Sequence, residues 1–328
     1  MSRPRQTQTY LRSLFAESGI APKHRFGQNF LIDLNIHDLI VKAAEVGPDD
    51  VVLEVGPGAG ALTSLMASKG AAIVAVDIDP GMVRLTTNAT AGLPNVRVFQ
   101  ADALAGKNTL NPLVLDSLRA GLAVSPQRRL KLVANLPYNV ATPIVSNLLV
   151  HPDFSPMKIV VTIQLELAQR MRAAPSTPDY SALSVLLQAL GEVEIVRVLP
   201  PTVFWPRPKV ESAVIAITPS LEKRAAVGDL PWFHRVVRRV FLHRRKNLRR
   251  VLHSAWRDEL SKPDADALLE SIGLTGLVRA EAMNVEEFIA LANALKARLG
   301  SGAGAAMIED EPSHESESRD DEAESEAE

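Results

Sequence analysis

From Asp33 onward the chain alternates between apolar residues at helical spacing and short unbroken apolar runs. Leu34, Ile36, Leu39, Ile40 and Ala43 recur behind Asp33, a residue suited to capping a helix start, which predicts a helix to Val46. Gly47-Pro48 ends it. Val51–Val55 then reads as a strand, Leu62–Ser68 as a helix, Ala72–Val76 as a strand and Pro80–Ala91 as a helix. Val96–Phe99 and Leu130–Ala134 are two more strands, while the weakly patterned residues 104–128 read as a helix plus a loop. Strand Lys158–Ile163, helix Leu165–Ala173, the loop APSTPDY, helix Ser181–Leu190 and strands Val193–Leu199 and Ser212–Ile217 follow. Buried runs separated by helices predict an α/β fold with a parallel sheet covered on both faces. Upstream, a helical stretch Thr9–Ser18 lies in a polar, basic segment. From Leu221 the pattern turns all-helical, so a domain boundary is expected near residues 220–230.

Composition narrows the class. The 328 residues include 46% apolar ones, enough for a sizeable core, and no cysteine, which excludes disulfides, thiolate metal sites and cysteine nucleophiles. No apolar run is long enough for a membrane-spanning helix. The opening MSRPRQTQTY has no apolar signal core, so a cytoplasmic location is expected. The formal net charge of −2 hides an asymmetry: residues 309–328 hold eleven acids and one base, a balance of −10, and the remaining chain carries +8. A basic body points to a polyanionic partner. The tail from Ser301 has too few apolar residues to offset its ordering entropy, so disorder is expected over 301–328.

In VLEVGPGAGALTSLM, a strand meets a helix through Gly56, Gly58 and Gly60. Such glycines permit a tight turn and close backbone approach to a ligand, and the helix start offers free N–H groups. Asp77 closes the next strand, where an acid can accept hydrogen bonds from ribose hydroxyls; Asp102 follows the third strand, where a carboxylate can meet an adenine amine. With Ala61 in the last place the loop also satisfies the dinucleotide pattern, so an NAD-dependent dehydrogenase stays open at this point. A nucleoside-containing ligand is the common inference.

Asn135-Leu136-Pro137-Tyr138 ends the fourth strand, where reactive groups gather in such sheets. An adenine amine is a poor nucleophile because its lone pair is delocalised into the ring. An amide oxygen from Asn135 and a nearby carbonyl can accept both amine hydrogens and favour a pyramidal nitrogen. Tyr138 offers a flat surface for the extruded base, a contact of about 1–3 kcal/mol in single-strand sites.

Together with KHRFGQNFL (Lys23–Leu31) and FWPRPKVESAV (Phe204–Val214), these motifs closely resemble the small-subunit rRNA adenine N6,N6-dimethyltransferase family, from about Lys23 to Leu295. The resemblance implies a Rossmann-like methyltransferase domain at 23–222, a smaller all-helical RNA-binding domain at 223–300, a basic extension at 1–22 and the tail at 301–328. It implies that the glycine loop binds S-adenosylmethionine, with Gln28, Asn29 and Leu31 near its methionine moiety. Gly56 would lie under the cofactor, Asp77 would hold its ribose, Asp102 its adenine, and Asn135 would meet both cofactor and amine. Phe204 would form a second aromatic wall opposite Tyr138. The implied reaction is direct displacement on the methyl carbon, without a metal; the seven histidines show no ligand spacing.

Between Pro231 and Arg257 lie nine Arg/Lys residues and no acid. Apolar positions at helical spacing leave Arg238, Arg244, Arg245, Lys246, Arg249 and Arg250 for other faces, where RNA phosphates are natural partners. RRKNLRRVL resembles the family's RNA-contacting helix, and VRAEAMNVEEFIALAN its C-terminal segment, unlike the related large-subunit methyltransferases. The chain departs from the family at IQLELAQRM and PDYSALSV, which lack its usual basic residues. The expected substrate is 16S rRNA within an immature small ribosomal subunit, acted on by a monomer. The alternative is a ribosome assembly factor on the same fold with methylation dispensable or lost.

Overall fold

The computed structural model describes residues 7–106 and 109–300, so the expected acidic tail lies outside the described residues. Among the described residues, the main sheet has seven strands, numbered here in chain order. They are β1 (Asp50–Val55), β2 (Ala72–Asp77), β3 (Val96–Gln100), β4 (Arg129–Asn135), β5 (Lys158–Gln164), β6 (Gly191–Leu199) and β7 (Ser212–Pro219). Their spatial order is β3-β2-β1-β4-β5-β7-β6. The pairs from β3 across to β5 are parallel. Strand β7 runs antiparallel to both β5 and β6, which corrects the expectation of a wholly parallel sheet. The reason is the connection: no α-helix lies between β6 and β7, and a parallel pair needs a crossover to bring the chain back.

Period-two alternation sends neighbouring side chains to opposite faces. In β1, Val51, Leu53 and Val55 join one core while Val52 joins the other; β5 repeats this with Ile159, Val161 and Ile163 against Val160. Helices α2 (Leu34–Ala43) and α3 (Ala61–Ala67) cover the second face. The first face is covered by α5 (Pro112–Leu122), α6 (Ala141–Val150), α7 (Leu165–Arg172) and α8 (Ala182–Leu190). Its core continues into the C-terminal helices α9 (Leu221–Val227), α10 (Leu230–Phe241), α11 (Leu248–Ala255), α12 (Lys262–Ser271) and α13 (Val285–Leu299). Two buried hydrogen bonds pin these helices: Tyr180 Oη donates to the Met283 carbonyl (2.9 Å) and Trp232 Nε1 to that of Ala292 (2.8 Å).

Several boundaries differ from the pattern for local reasons. Helix α2 stops at Ala43 rather than Val46: the buried Lys131 Nζ takes the carbonyls of Ala44 (2.9 Å) and Glu45 (2.7 Å), and Glu45 turns to φ 51°. Helix α1 is Gln8–Glu17, capped by Thr7, and packs Leu11 and Phe15 against Phe30, Met82 and Leu85 of α4 (Pro80–Ala89). Residues 104–128 add a short antiparallel pair, Leu104–Gly106 with Thr109–Leu110, before α5. A second such pair, Phe30–Leu31 with Phe204–Trp205, joins two distant segments beside the main sheet. Helix α6 went unpredicted because even Ser146 and Asn147 are buried, which leaves no polar face to produce a period.

Candidate active site

The strand order reverses between β1 and β4, and at their C-terminal ends the chains part to leave a crevice, the usual ligand position in such sheets. The open cleft has a cavity volume of about 130 Å³. Its walls include Gln28, Asn29, Gly56, Gly58, Asp77, Asp102, Asn135 and Tyr138, bringing together residues up to 110 positions apart in sequence. Leu31, Gly60 and Phe204 are not among the wall residues. Leu31 and Phe204 face each other in the short strand pair and are buried in the core behind the cleft, at 3% exposure each. Gly60 serves packing: at φ +79°, its added Cβ would stand 3.0 Å from the Ala89 Cβ, so it lets α3 approach α4. Gly58, also at positive φ, sits under the Phe30 ring, 3.0 Å from where its Cβ would be.

Asp77 ends β2 inside the cleft. Burial pushes its carboxyl up to about 6, although backbone N–H groups of Asp79, Gly58 and Ile78 favour the charged form. Asp79 N donates to Asp77 Oδ1 at 2.9 Å. Asp79 is fully buried yet held below the usual carboxylate range, despite desolvation, by Lys23 Nζ (2.9 Å), the Gly81 N–H (3.0 Å) and Gln28 Nε2 (3.1 Å). The Gln28 Oε1 accepts from the Lys23 N–H at 2.7 Å. The Gln28 amide is thus engaged at both ends in strapping the N-terminal segment to α4, rather than held free for a ligand. Asp102 is exposed just past the end of β3, the strand paired with β2, and its Oδ1 accepts from Leu104 N at 2.9 Å.

One acid behind this wall was passed over in the sequence. Glu54, in the middle of the apolar run VVLEV, is buried, and desolvation pushes its carboxyl up to about 8; the Thr63 hydroxyl offsets this only partly, and Asp77 adds repulsion. A lone acid in an apolar strand was the available signal.

At the end of β4, Asn135 Nδ2 donates to the Asn29 carbonyl at 2.8 Å. That fixes the amide and leaves Oδ1 as an acceptor. Pro137 packs over Gly56. Tyr138, in the short 3₁₀ turn Tyr138–Val140, is half-buried, and its hydroxyl lies 2.7 Å from Ser212 Oγ at the start of β7.

A cleft lined by two carboxyls, an amide with one free acceptor and an aromatic side chain narrow the chemistry, and comparison with known proteins decides it. The sequence pattern of the ribosomal RNA adenine dimethylase family matches residues 20–297. The chain belongs to this family. The chain is 38% identical over 287 residues to ribosomal RNA small subunit methyltransferase A of Moorella thermoacetica, covering 87% of this chain and 96% of that one. It is 37% identical to the protein of the same name from Ligilactobacillus salivarius, covering 88% and 94%. Among solved structures, a dimethyladenosine transferase from Plasmodium falciparum shares the fold (TM-score 0.67, 22% identity, 81% of this chain and 97% of that one). A 23S rRNA methyltransferase aligns with TM-score 0.57 and 27% identity, over 82% and 100%.

The six candidate RNA-contacting residues divide into two groups. Arg244 Nη1 donates to the carbonyls of Pro178 (3.0 Å) and Tyr180 (3.2 Å), and Arg249 Nε meets Asp266 Oδ1 at 2.6 Å, so both brace the fold. Arg238, Arg245, Lys246 and Arg250 are exposed and meet no carboxylate at ion-pair distance among the described residues. No cluster of potential metal ligands and no helix long and apolar enough to cross a membrane occurs among the described residues.

Proposed function

We propose that this dimethylase methylates the N6 amines of two adjacent adenosines in a hairpin near the 3′ end of 16S rRNA, on an immature small subunit, using S-adenosylmethionine. The cleft's donor set fits that cofactor: a buried carboxyl at the end of β2, a second carboxyl just past the adjacent end of β3, and the apolar lining residues Ile78, Met82, Ala103 and Leu136. When bound, the cofactor supplies an electrophilic methyl group on a sulfonium. Asp77 would accept hydrogen bonds from its ribose and Asp102 from its adenine amine.

The observation that carries the reading is the one-sided commitment of the Asn135 amide. With Nδ2 held by Asn29, Oδ1 is left to accept a hydrogen from the target amine. A backbone carbonyl of the same tetrapeptide takes the second hydrogen, which draws the nitrogen toward a pyramidal, nucleophilic form. The Tyr138 ring stacks on the extruded base. No strong general base is needed, because the methylated nitrogen sheds its proton readily. Alignment of amine and methyl donor supplies much of the acceleration. Acceptors of this kind tolerate a monomethylated amine, which allows a second transfer. Arg238 on α10, Arg245 and Lys246 in the turn after it, and Arg250 on α11, which meet no carboxylate at ion-pair distance among the described residues, supply phosphate contacts.

Incubating the protein with immature small subunits and a methyl-labelled cofactor tests this: wild type transfers label into rRNA and Asn135→Ala does not. Equal transfer by the two proteins would refute the assignment. A protein that binds subunits without transferring label would be an assembly factor instead.

A further inference from the structure

We infer that Ser212 is a positioning residue for methyl transfer, fixing the Tyr138 ring where the target base must stack. The inference rests on Tyr138 as the stacking wall. The turn that carries Tyr138 buries no side chain of its own, so little in Tyr138–Val140 holds the ring in place. Among the described residues, the one hydrogen bond at the ring's tip joins its hydroxyl to Ser212 Oγ at 2.7 Å.

Ser212 is a firm anchor. It is fully buried and opens β7, in register with Gln164 of β5 on one side and Leu199 of β6 on the other. A phenol oxygen lies on the ring's own rotation axis, so this bond pins the position of the tip. The preference of the O–H for the ring plane then biases the ring's tilt.

The same segment has a second tie. Seven residues before Ser212, Trp205 pairs with Phe30, whose neighbour Asn29 holds Asn135 through its carbonyl. Both working side chains of the Asn135–Tyr138 tetrapeptide are therefore clamped from two segments that pair with each other. Stacking acts on the rate only if the base arrives at a fixed height and angle beside the Asn135 Oδ1, and a ring free to swing would bind the base without aligning it.

The test is a mutant cycle on rRNA substrate with saturating cofactor, with cofactor affinity measured separately by calorimetry. Ser212→Ala and Tyr138→Phe each lower kcat by roughly 3- to 10-fold, the scale of one hydrogen bond, with KM for RNA and cofactor affinity nearly unchanged. The double variant is no slower than the slower single one. Multiplicative losses, or either single variant at the wild-type rate, overturn the inference. If Ser212→Ala fails to fold, Tyr138→Phe decides alone: a slowed kcat with intact cofactor binding supports the pairing, and a full rate overturns it. Tyr138→Ala separates the two levels. Full activity in Tyr138→Ala refutes the stacking wall itself, whereas an inactive Tyr138→Ala beside a fully active Tyr138→Phe removes only Ser212's part.

Discussion

Asn135 and Asn29, 106 positions apart, meet through a 2.8 Å hydrogen bond from the Asn135 Nδ2 to the Asn29 carbonyl oxygen. The bond ties the end of β4 to the N-terminal segment and decides which atom of the amide faces the cleft. Asn135→Asp keeps the shape and removes the donor, setting a carboxylate oxygen against a carbonyl oxygen. Transfer of labelled methyl groups should fall by roughly 100-fold or more, the scale of losing a preorganised polar contact. Single-turnover assays measure this.

Asp77 has its carboxyl pushed up to about 6 by burial. Ribose hydroxyls favour its charged form, so cofactor affinity should be constant above pH 7 and fall as the pH drops below 6. Calorimetric titration from pH 5 to 8 reads the trend, and Asp77→Asn should bind more weakly with a flattened pH dependence.

Glu54 is pushed up to about 8 from an ordinary value of 4.5, so at neutral pH the folded chain keeps a proton that the unfolded chain has released. Stability from this group is therefore fully present below pH 4.5 and is lost as the pH rises toward 8. The slope is at most about 1.4 kcal/mol per pH unit. Glu54→Gln should remove that slope while preserving the fold; urea unfolding of both proteins between pH 5 and 8 provides the comparison.

The basic residues should separate by assay. Replacing Arg245, Lys246 and Arg250 together with Gln should reduce the slope of log binding constant against log salt by about 2 to 3 and leave thermal stability near wild type. Arg244→Gln should do the reverse, lowering stability by about 1–2 kcal/mol through the lost carbonyl contacts of Pro178 and Tyr180. Filter binding of rRNA at several salt concentrations, beside thermal melts, checks both.

Strands β1, β2, β4 and β5 were legible as short, mostly apolar runs and β3 by Val96, Val98 and Phe99 around Arg97, and the glycine turn, Asp77 and Asn135 were legible because spacing places them at strand ends. The direction of β7 was hidden: an apolar strand reads alike in either direction, and only the short link after β6 gives it away. Phe204 illustrates a different limit. Its motif marks the segment, but the side chain's pairing with Leu31 behind the cleft depends on a two-residue strand with no periodicity to detect. Arg244 and Arg249 looked like their exposed neighbours because charge is visible in sequence and partners are not. The Lys23–Asp79–Gln28 network was unreadable for the same reason, since it joins residues 56 and 51 positions apart.

The most direct measurement is to map dimethylated adenines by primer-extension stops and mass spectrometry in the rRNA of immature small subunits treated with the purified protein and S-adenosylmethionine. The account predicts N6,N6-dimethyladenosine at two adjacent positions near the 3′ end of 16S rRNA, absent with Asn135→Ala. Modification confined to large-subunit rRNA, or no dimethyladenosine at all, would contradict it.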